Sequence, residues 1–319
     1  MILPDPSLQI EFATLLEGAR SLMLGDALRS TVGSLSAKSL DLELANFVDD
    51  GALTQIAAFG HRGELLFPVP MLLTARPSLI GYYRLLYGYS QKQFYTSATG
   101  CSMFKTMEVK GVLTPTAAKQ LPDLCSAFAN AGRCLLSGLG GKAAKSALFH
   151  ELALLTLGAQ FRGGANNQRG AAGIRTVFEI VRTALQAGII SAGESLIQVT
   201  NAAGKQVNIE IAADPDIYIY SLLDNGERRP IVAIEVKAGE DHSNIWNRVG
   251  EAEKSHQQAK ARGVTECWTI INDSKADSGK LHTSSPTTNR FYQLSELSIP
   301  NSAQSQDFAL RARDMVGLG

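Results

Sequence analysis

The run from Ile231 to Gly239, IVAIEVKAG, is apolar at every position except Glu235 and Lys237. A strand that is apolar on both faces belongs in the middle of a sheet covered on both sides. Isolated charges in such a strand need partners, because a buried ionised group loses its hydration and must be compensated. Residues two apart in an extended chain share a face, so Glu235 and Lys237 project together while Ile234 and Val236 point the opposite way. The run therefore calls for a layered architecture with something placed to answer two charges on one face.

The neighbouring sequence supplies the layers. Shorter β-type runs occupy 195–200, 206–212 and 216–222, with turn-like NAAGK between the first two and DNGE before the apolar run. Residues 243–262 read as a helix with Ser243 as N-cap and Ile245, Val249, Ala252 and Ala259 facing a sheet, and 266–272 read as the next strand. The expected class is α/β (mixed α+β), with a central mixed β-sheet flanked by helices. The first half is mainly helical, with suitable periodicity at 10–23, 117–131 and 142–157, while 67–73 and 82–95 stay unassigned. The glycine-rich stretch 161–173 reads as a break before an amphipathic helix over 174–187, and the tail after Ser274 is polar until a short helix at 306–315. Two regions are expected, 1–155 and 156–319.

Thirty basic and thirty acidic side chains in 319 residues leave no net charge, so no global field advertises nucleic acid or an anionic surface. A local cationic cleft remains compatible with that balance. Cys101, Cys125, Cys134 and Cys267 form no CxxC pair and no zinc spacing, and no leader or long apolar span is visible, so the expectation is a cytoplasmic protein with reduced thiols and no membrane partner. SGLGGKAAK at 137–145 fails the phosphate-loop pattern, and His150-Glu151 lacks the second histidine of a zinc protease. The scattered histidines, His61, His150, His242, His256 and His282, read as structural or solvated.

Pro215-Asp216 opens one strand and Glu235-Val236-Lys237 closes a later one. If the two strands are neighbours, Asp216 and Glu235 offer hard oxygen ligands to a divalent cation beside the Lys237 ammonium. Phosphodiester hydrolysis needs those parts: a cation to polarise the phosphate and acidify a water, and a lysine to orient that water or to meet developing charge. The motif alone is common. Pro4-Asp5, Pro122-Asp123 and Glu108-Val109-Lys110 repeat its halves, and only the pair at 216 and 235 lies on consecutive expected strands. The bland alternative is a solvated sheet edge.

Other residues could join. Asn244, Arg248, Glu251 and Ser255 share one face of the helix at 243–262, opposite its apolar face. Glu251 could complete a metal site or simply be solvated, and Asn247 or Arg248 could contact DNA bases. Glu179 could be a further metal carboxylate or only an ion-pair partner of Arg175 and Arg182. Asn166, Asn167, Gln168 and Arg169 form a polar loop able to reach phosphates or bases.

The stretch from Gly163 to Asn272 resembles the type II restriction endonucleases of the PD-(D/E)xK superfamily. The likeness rests on the polar glycine-rich loop before Glu179, DPD at 214–216, EVK at 235–237 and NRVGEAEKSHQQAK at 247–260. It is similar in particular to the group that recognises CCGG-containing sites, where a catalytic glutamate lies about fourteen residues after the lysine, the offset of Glu251. Two departures stand out: Glu235 is kept in the strand, and no clean R-(D/E)-R run follows the lysine. The resemblance implies a restriction-endonuclease-like core, Mg²⁺ as cofactor, double-stranded DNA as substrate, and a homodimer on a palindromic site. It also implies a cognate DNA methyltransferase as a functional partner. Residues 1–155, outside the likeness, could supply dimer contacts, DNA contacts, or both. Two alternatives stay open: a structure-specific repair or recombination nuclease, and a non-catalytic DNA-binding protein on a nuclease fold.

Overall fold

In the computed structural model, residues 6–239, 245–273 and 277–318 are described. Ser243, the expected N-cap, together with His242 and Asn244, lies outside them. The chain divides between Gly163 and Gly164 into two compact units.

The first unit is built from helices, including Ser7–Met23, Gly25–Ser34, Ala37–Phe47 and Leu121–Leu139. Both unassigned stretches contain helix: Pro70–Ala75 starts on proline, and every residue of Ile80–Leu86 is buried. Burial on all sides erases the amphipathic period by which a helix is recognised in sequence. The core gathers Phe67, Leu72, Tyr82, Tyr83, Phe128 and Phe149. Within it Arg84 meets Glu108 through two hydrogen bonds of 2.7 and 2.8 Å, and Tyr95 and Gln91 donate to the same carboxylate. A buried carboxylate held this way is compensated, and hydrogen bonding and charge from Arg84 outweigh burial to keep its pKa low.

One expectation fails at the join between the units. Residues 161–173 are no break: a single helix runs over Ser146–Ala184. Each glycine costs about 1 kcal/mol of helix propensity relative to alanine, but good helix formers such as Ala, Gln and Arg lie between them. One glycine has a packing reason, since a Cβ on Gly173 would lie 2.2 Å from the Ala238 Cβ.

The second unit carries a seven-stranded mixed sheet in sequential order: β1 (Ile189–Ala192), β2 (Leu196–Thr200), β3 (Gln206–Ile211), β4 (Ile217–Leu222), β5 (Arg228–Lys237), β6 (Glu266–Ile271) and β7 (Arg290–Gln293). β1 to β5 form an antiparallel meander, whereas β5, β6 and β7 run parallel. The apolar run is thus a central strand, between β4 and β6. Val232, Ile234 and Val236 bury one face against Val177 and Phe178 of the long helix and Phe308 and Ala312 of the C-terminal helix Ala303–Val316. On the other face Ala233 packs with Ala259 of the crossover helix Ile245–Ala261. The tail is more structured than its polarity suggests, with helices Ser278–Ser284 and Leu294–Leu297 around β7. Among the described residues no helix is long and apolar enough to cross a membrane.

Candidate active site

Antiparallel register brings the two halves of the motif together. Ile217 pairs with Ile234, so Asp216 and Glu235 lie side by side just beyond that pair. The Asp216 Oδ2 accepts a 2.8 Å hydrogen bond from the Val236 N–H. Lys237 donates to Glu235 Oε2 at 2.6 Å, and its Nζ lies 3.9 Å from Asp216 Oδ2. Glu235 is only 4% exposed, so its charge cannot be met by solvent.

The electrostatics follow from that crowding. Burial and the neighbouring Glu235 charge push the Asp216 pKa up to about 6, against the opposing pull of the Val236 N–H and Lys237. For Lys237, burial works against the charge, but Glu235, Asp216 and Glu251 outweigh it and raise its pKa. The ammonium is therefore protonated at neutral pH and acts as a fixed cation. Two carboxylates share one ammonium, which leaves an excess of negative charge on hard oxygen atoms.

That excess tests the fit of a divalent cation. Among the described residues no group of three or more Asp, Glu, His or Cys side chains is gathered to hold a metal. The two carboxylates nevertheless fit one, as anionic oxygen donors whose mutual repulsion a cation would relieve.

The crossover helix brings further groups, and its orientation differs from the expected one. Ser255 does not face away from the sheet: its hydroxyl lies 2.6 Å from Glu235 Oε1 and also contacts Asp214 Oδ1. Arg248 packs its guanidinium over Gly239, at the end of β5. The stripe of Arg248, Glu251 and Ser255 flanks the buried stripe of Val249, Ala252 and His256, so it overlooks the strand ends. Glu251 is solvent-exposed, as is Asn247. Arg262 donates to the Asp214 carbonyl at 3.2 Å and to its Oδ2 at 3.3 Å.

Glu179 is not brought to this cluster. It is exposed, pairs with Arg182 at 3.1 Å, and lines a groove of about 750 Å³ with residues of the C-terminal helix. The helical face that meets the sheet is that of Val177, Phe178 and Val181, and Glu179 follows it at the wrong angle. Asn166, Asn167, Gln168 and Arg169 are exposed, on the long helix and not on a loop. At 1.5 Å per residue they stand about 6–10 Å along the axis from Gly173, where the helix touches Ala238.

Sequence reasoning passed over Asp214, Arg262 and the inward role of Ser255. A signal was present: Ser255 and Arg262 are seven residues apart, two helical turns, on one side of the crossover helix. The other EVK-type copy has a different fate. Glu108 is bound up with Arg84, and Lys110 is exposed at the end of the helix Lys105–Lys110.

Comparison with known proteins gives full-length matches. The chain matches the family described as XcyI restriction endonuclease over residues 13–319. It is 45% identical over 320 residues to type II restriction enzyme Cfr9I of Citrobacter freundii, covering 100% of this chain and 97% of that one. It is 46% identical over 317 residues to type II restriction enzyme XcyI of Xanthomonas campestris pv. cyanopsidis, covering 99% of this chain and 95% of that one.

Proposed function

This chain belongs to the XcyI restriction endonuclease family, and from that premise we propose that Asp216, Glu235 and Lys237 are the centre with which it cuts DNA. Membership makes it a site-specific deoxyribonuclease with DNA as its substrate. The observation that carries the assignment of the centre is the convergence of Asp216 and Glu235 on one ammonium, at 3.9 and 2.6 Å, at the end of the central strand.

Asp216 and Glu235 would hold Mg²⁺, with exposed Glu251 as a further carboxylate on the same side of the site. The cation supplies Lewis acidity, drawing charge onto the phosphate oxygens and making a nearby water more acidic. The chain's own residues do the rest. Lys237 stays protonated, so it orients the attacking water through its N–H groups and meets the charge that develops on phosphate. Burial of Glu235 keeps bulk water from screening that interaction. Arg248, at the end of β5, and Asn247 beside it stand ready for base edges. Arg169, Asn166, Asn167 and Gln168 project from the long helix toward backbone phosphates.

The offset of Glu251 from Lys237 supports a finer reading, a palindromic target with a CCGG core. A cell carrying such an enzyme must protect its own copies of the site, which makes a methyltransferase of matching specificity its functional partner.

Plasmid digestion with Mg²⁺ followed by sequencing of the cut ends tests both readings. Discrete fragments sharing one short palindrome are expected. Asp216→Asn and Lys237→Ala are each expected to cut at least about a hundredfold more slowly, while binding the site with wild-type affinity in Ca²⁺. Undiminished cutting by either variant would overturn the assignment of the centre.

A further inference from the structure

Asp216 and Glu235 sit one step beyond Ile217 and Ile234, the last pair of the β4–β5 ladder; β6 still holds Glu235 in β5, and the Val236 N–H ties Asp216 to that strand at 2.8 Å. Those bonds and Lys237 act on one side of the pair, but two carboxylates repel and Asp216 sits in the linker before β4, so their separation calls for support from the other side as well. We propose that Asp214, Ser255 and Arg262 form a clamp that fixes the Asp216–Glu235 separation, with Ser255 as its positioning residue. The inference rests on reading Asp216 and Glu235 as the catalytic pair.

Asp214 is held at three atoms. Its Oδ1 contacts Ser255, its Oδ2 lies 3.3 Å from Arg262 Nη2, and its carbonyl accepts from Arg262 Nη1 at 3.2 Å. Buried Pro215, which has a fixed φ, is the only residue between Asp214 and Asp216, so holding the first aspartate places the second. Ser255 then ties this linker to β5 through Glu235 Oε1 at 2.6 Å, leaving Oε2 to Lys237. Ser255 lies on the crossover helix and Arg262 in the turn just past its end, with its N–H still bonded to the Gln258 carbonyl, so both grips come from the same element. A hydroxyl carries a single hydrogen, so Ser255 donates to one carboxylate at a time and keeps both within its reach. Without it, Asp214 Oδ1 and Glu235 Oε1 would face each other with no hydroxyl between them, and Glu235 would be held by Lys237 alone.

The clamp is tested in the full-length protein by three readouts: kcat and KM for cleavage of a single-site duplex, Mn²⁺ affinity by calorimetry without DNA, and thermal unfolding. Ser255→Ala is expected to lower kcat and weaken Mn²⁺ binding by about tenfold each, with KM for DNA unchanged. Ser255→Thr, which keeps the hydroxyl, is expected to restore both. Should Ser255→Ala fail to fold, half-buried Asp214→Asn reads the same quantities and is expected to move them the same way. Wild-type kcat and Mn²⁺ affinity in Ser255→Ala, or failure of threonine to restore them in a folded protein, would overturn the clamp. Undiminished cleavage by Asp216→Asn in the same assay would strike the reading of the centre and the clamp with it. A normal requirement for Asp216 alongside a silent Ser255→Ala strikes the clamp alone.

Discussion

Glutamate and lysine two residues apart occur twice as EVK, and the surroundings separate the copies. Glu108 spends its lone pairs on Arg84, Tyr95 and Gln91, which leaves a neutralised, packed group. Glu235 shares its ammonium with a second carboxylate and keeps an excess of charge. Behind it lies His256, fully buried, with one ring nitrogen 2.8 Å from Thr269 Oγ1 and Nδ1 without a hydrogen-bond partner. Burial lowers its pKa from 6.5 to about 4, against the attraction of Glu235 and Glu253 and with the help of Lys237 and Lys260. The sign follows from proton counting. Between these two values the unfolded chain binds a proton that the folded chain refuses, so stability falls as pH is lowered through that window. From pH 7.5 to pH 5 the loss due to this residue is about 2 kcal/mol. Urea unfolding of the wild type and of His256→Gln at both values measures it as a difference. Equal pH dependence in the two proteins would show that His256 does not titrate in this way.

At the scale of elements, the crossover helix and the five strands β2 to β6 were legible from sequence, and the reasons differ. β5 announces itself by being apolar on both faces, and the crossover helix by the spacing of Ile245, Val249, Ala252 and Ala259. β1 and β7 escape because each is four residues long and lies at a sheet edge, with Ile190 60% exposed. The long helix escapes because its glycines look like punctuation. Those glycines make opposite predictions. A Cβ at Gly163, Gly164 or Gly170 meets nothing within 4 Å, so alanine there should stabilise by about 0.5–1 kcal/mol each through helix propensity. At Gly173 the same change forces a 2.2 Å approach to Ala238, next to Lys237, and should destabilise the protein and slow cleavage together. Thermal melts of the four variants decide it, and a stabilising Gly173→Ala would mean that the helix does not bear on β5. The site divides in the same way. Asp216, Glu235 and Lys237 are legible because strand period and register act locally, whereas Ser255 and Asp214 meet only once the crossover helix is packed on the sheet.

For the molecule as a whole, the equal numbers of basic and acidic groups mean that affinity for DNA must come from a local arrangement of cations. Among the described residues one chain offers one cluster of Asp216, Glu235 and Lys237. Duplex DNA has two strands of opposite polarity, and a single centre that has cut one would need to let go and turn round to cut the other. Two copies related by a two-fold axis place a centre on each strand of a palindrome at once, which is how closed two-fold assemblies match two-fold targets. A homodimer is therefore the expected working form, with a mass of about twice the 34.2 kDa chain. On a supercoiled plasmid with one site, a dimer that engages both strands should turn the supercoiled form directly into the linear one, with little nicked circle at any time. A monomer cutting in two encounters should instead build up nicked circle before any linear product. Sedimentation of the free protein, run beside a time course at limiting enzyme, separates these cases. Nicked circle as the dominant early product from a chain that sediments as a monomer would remove the dimer from the mechanism.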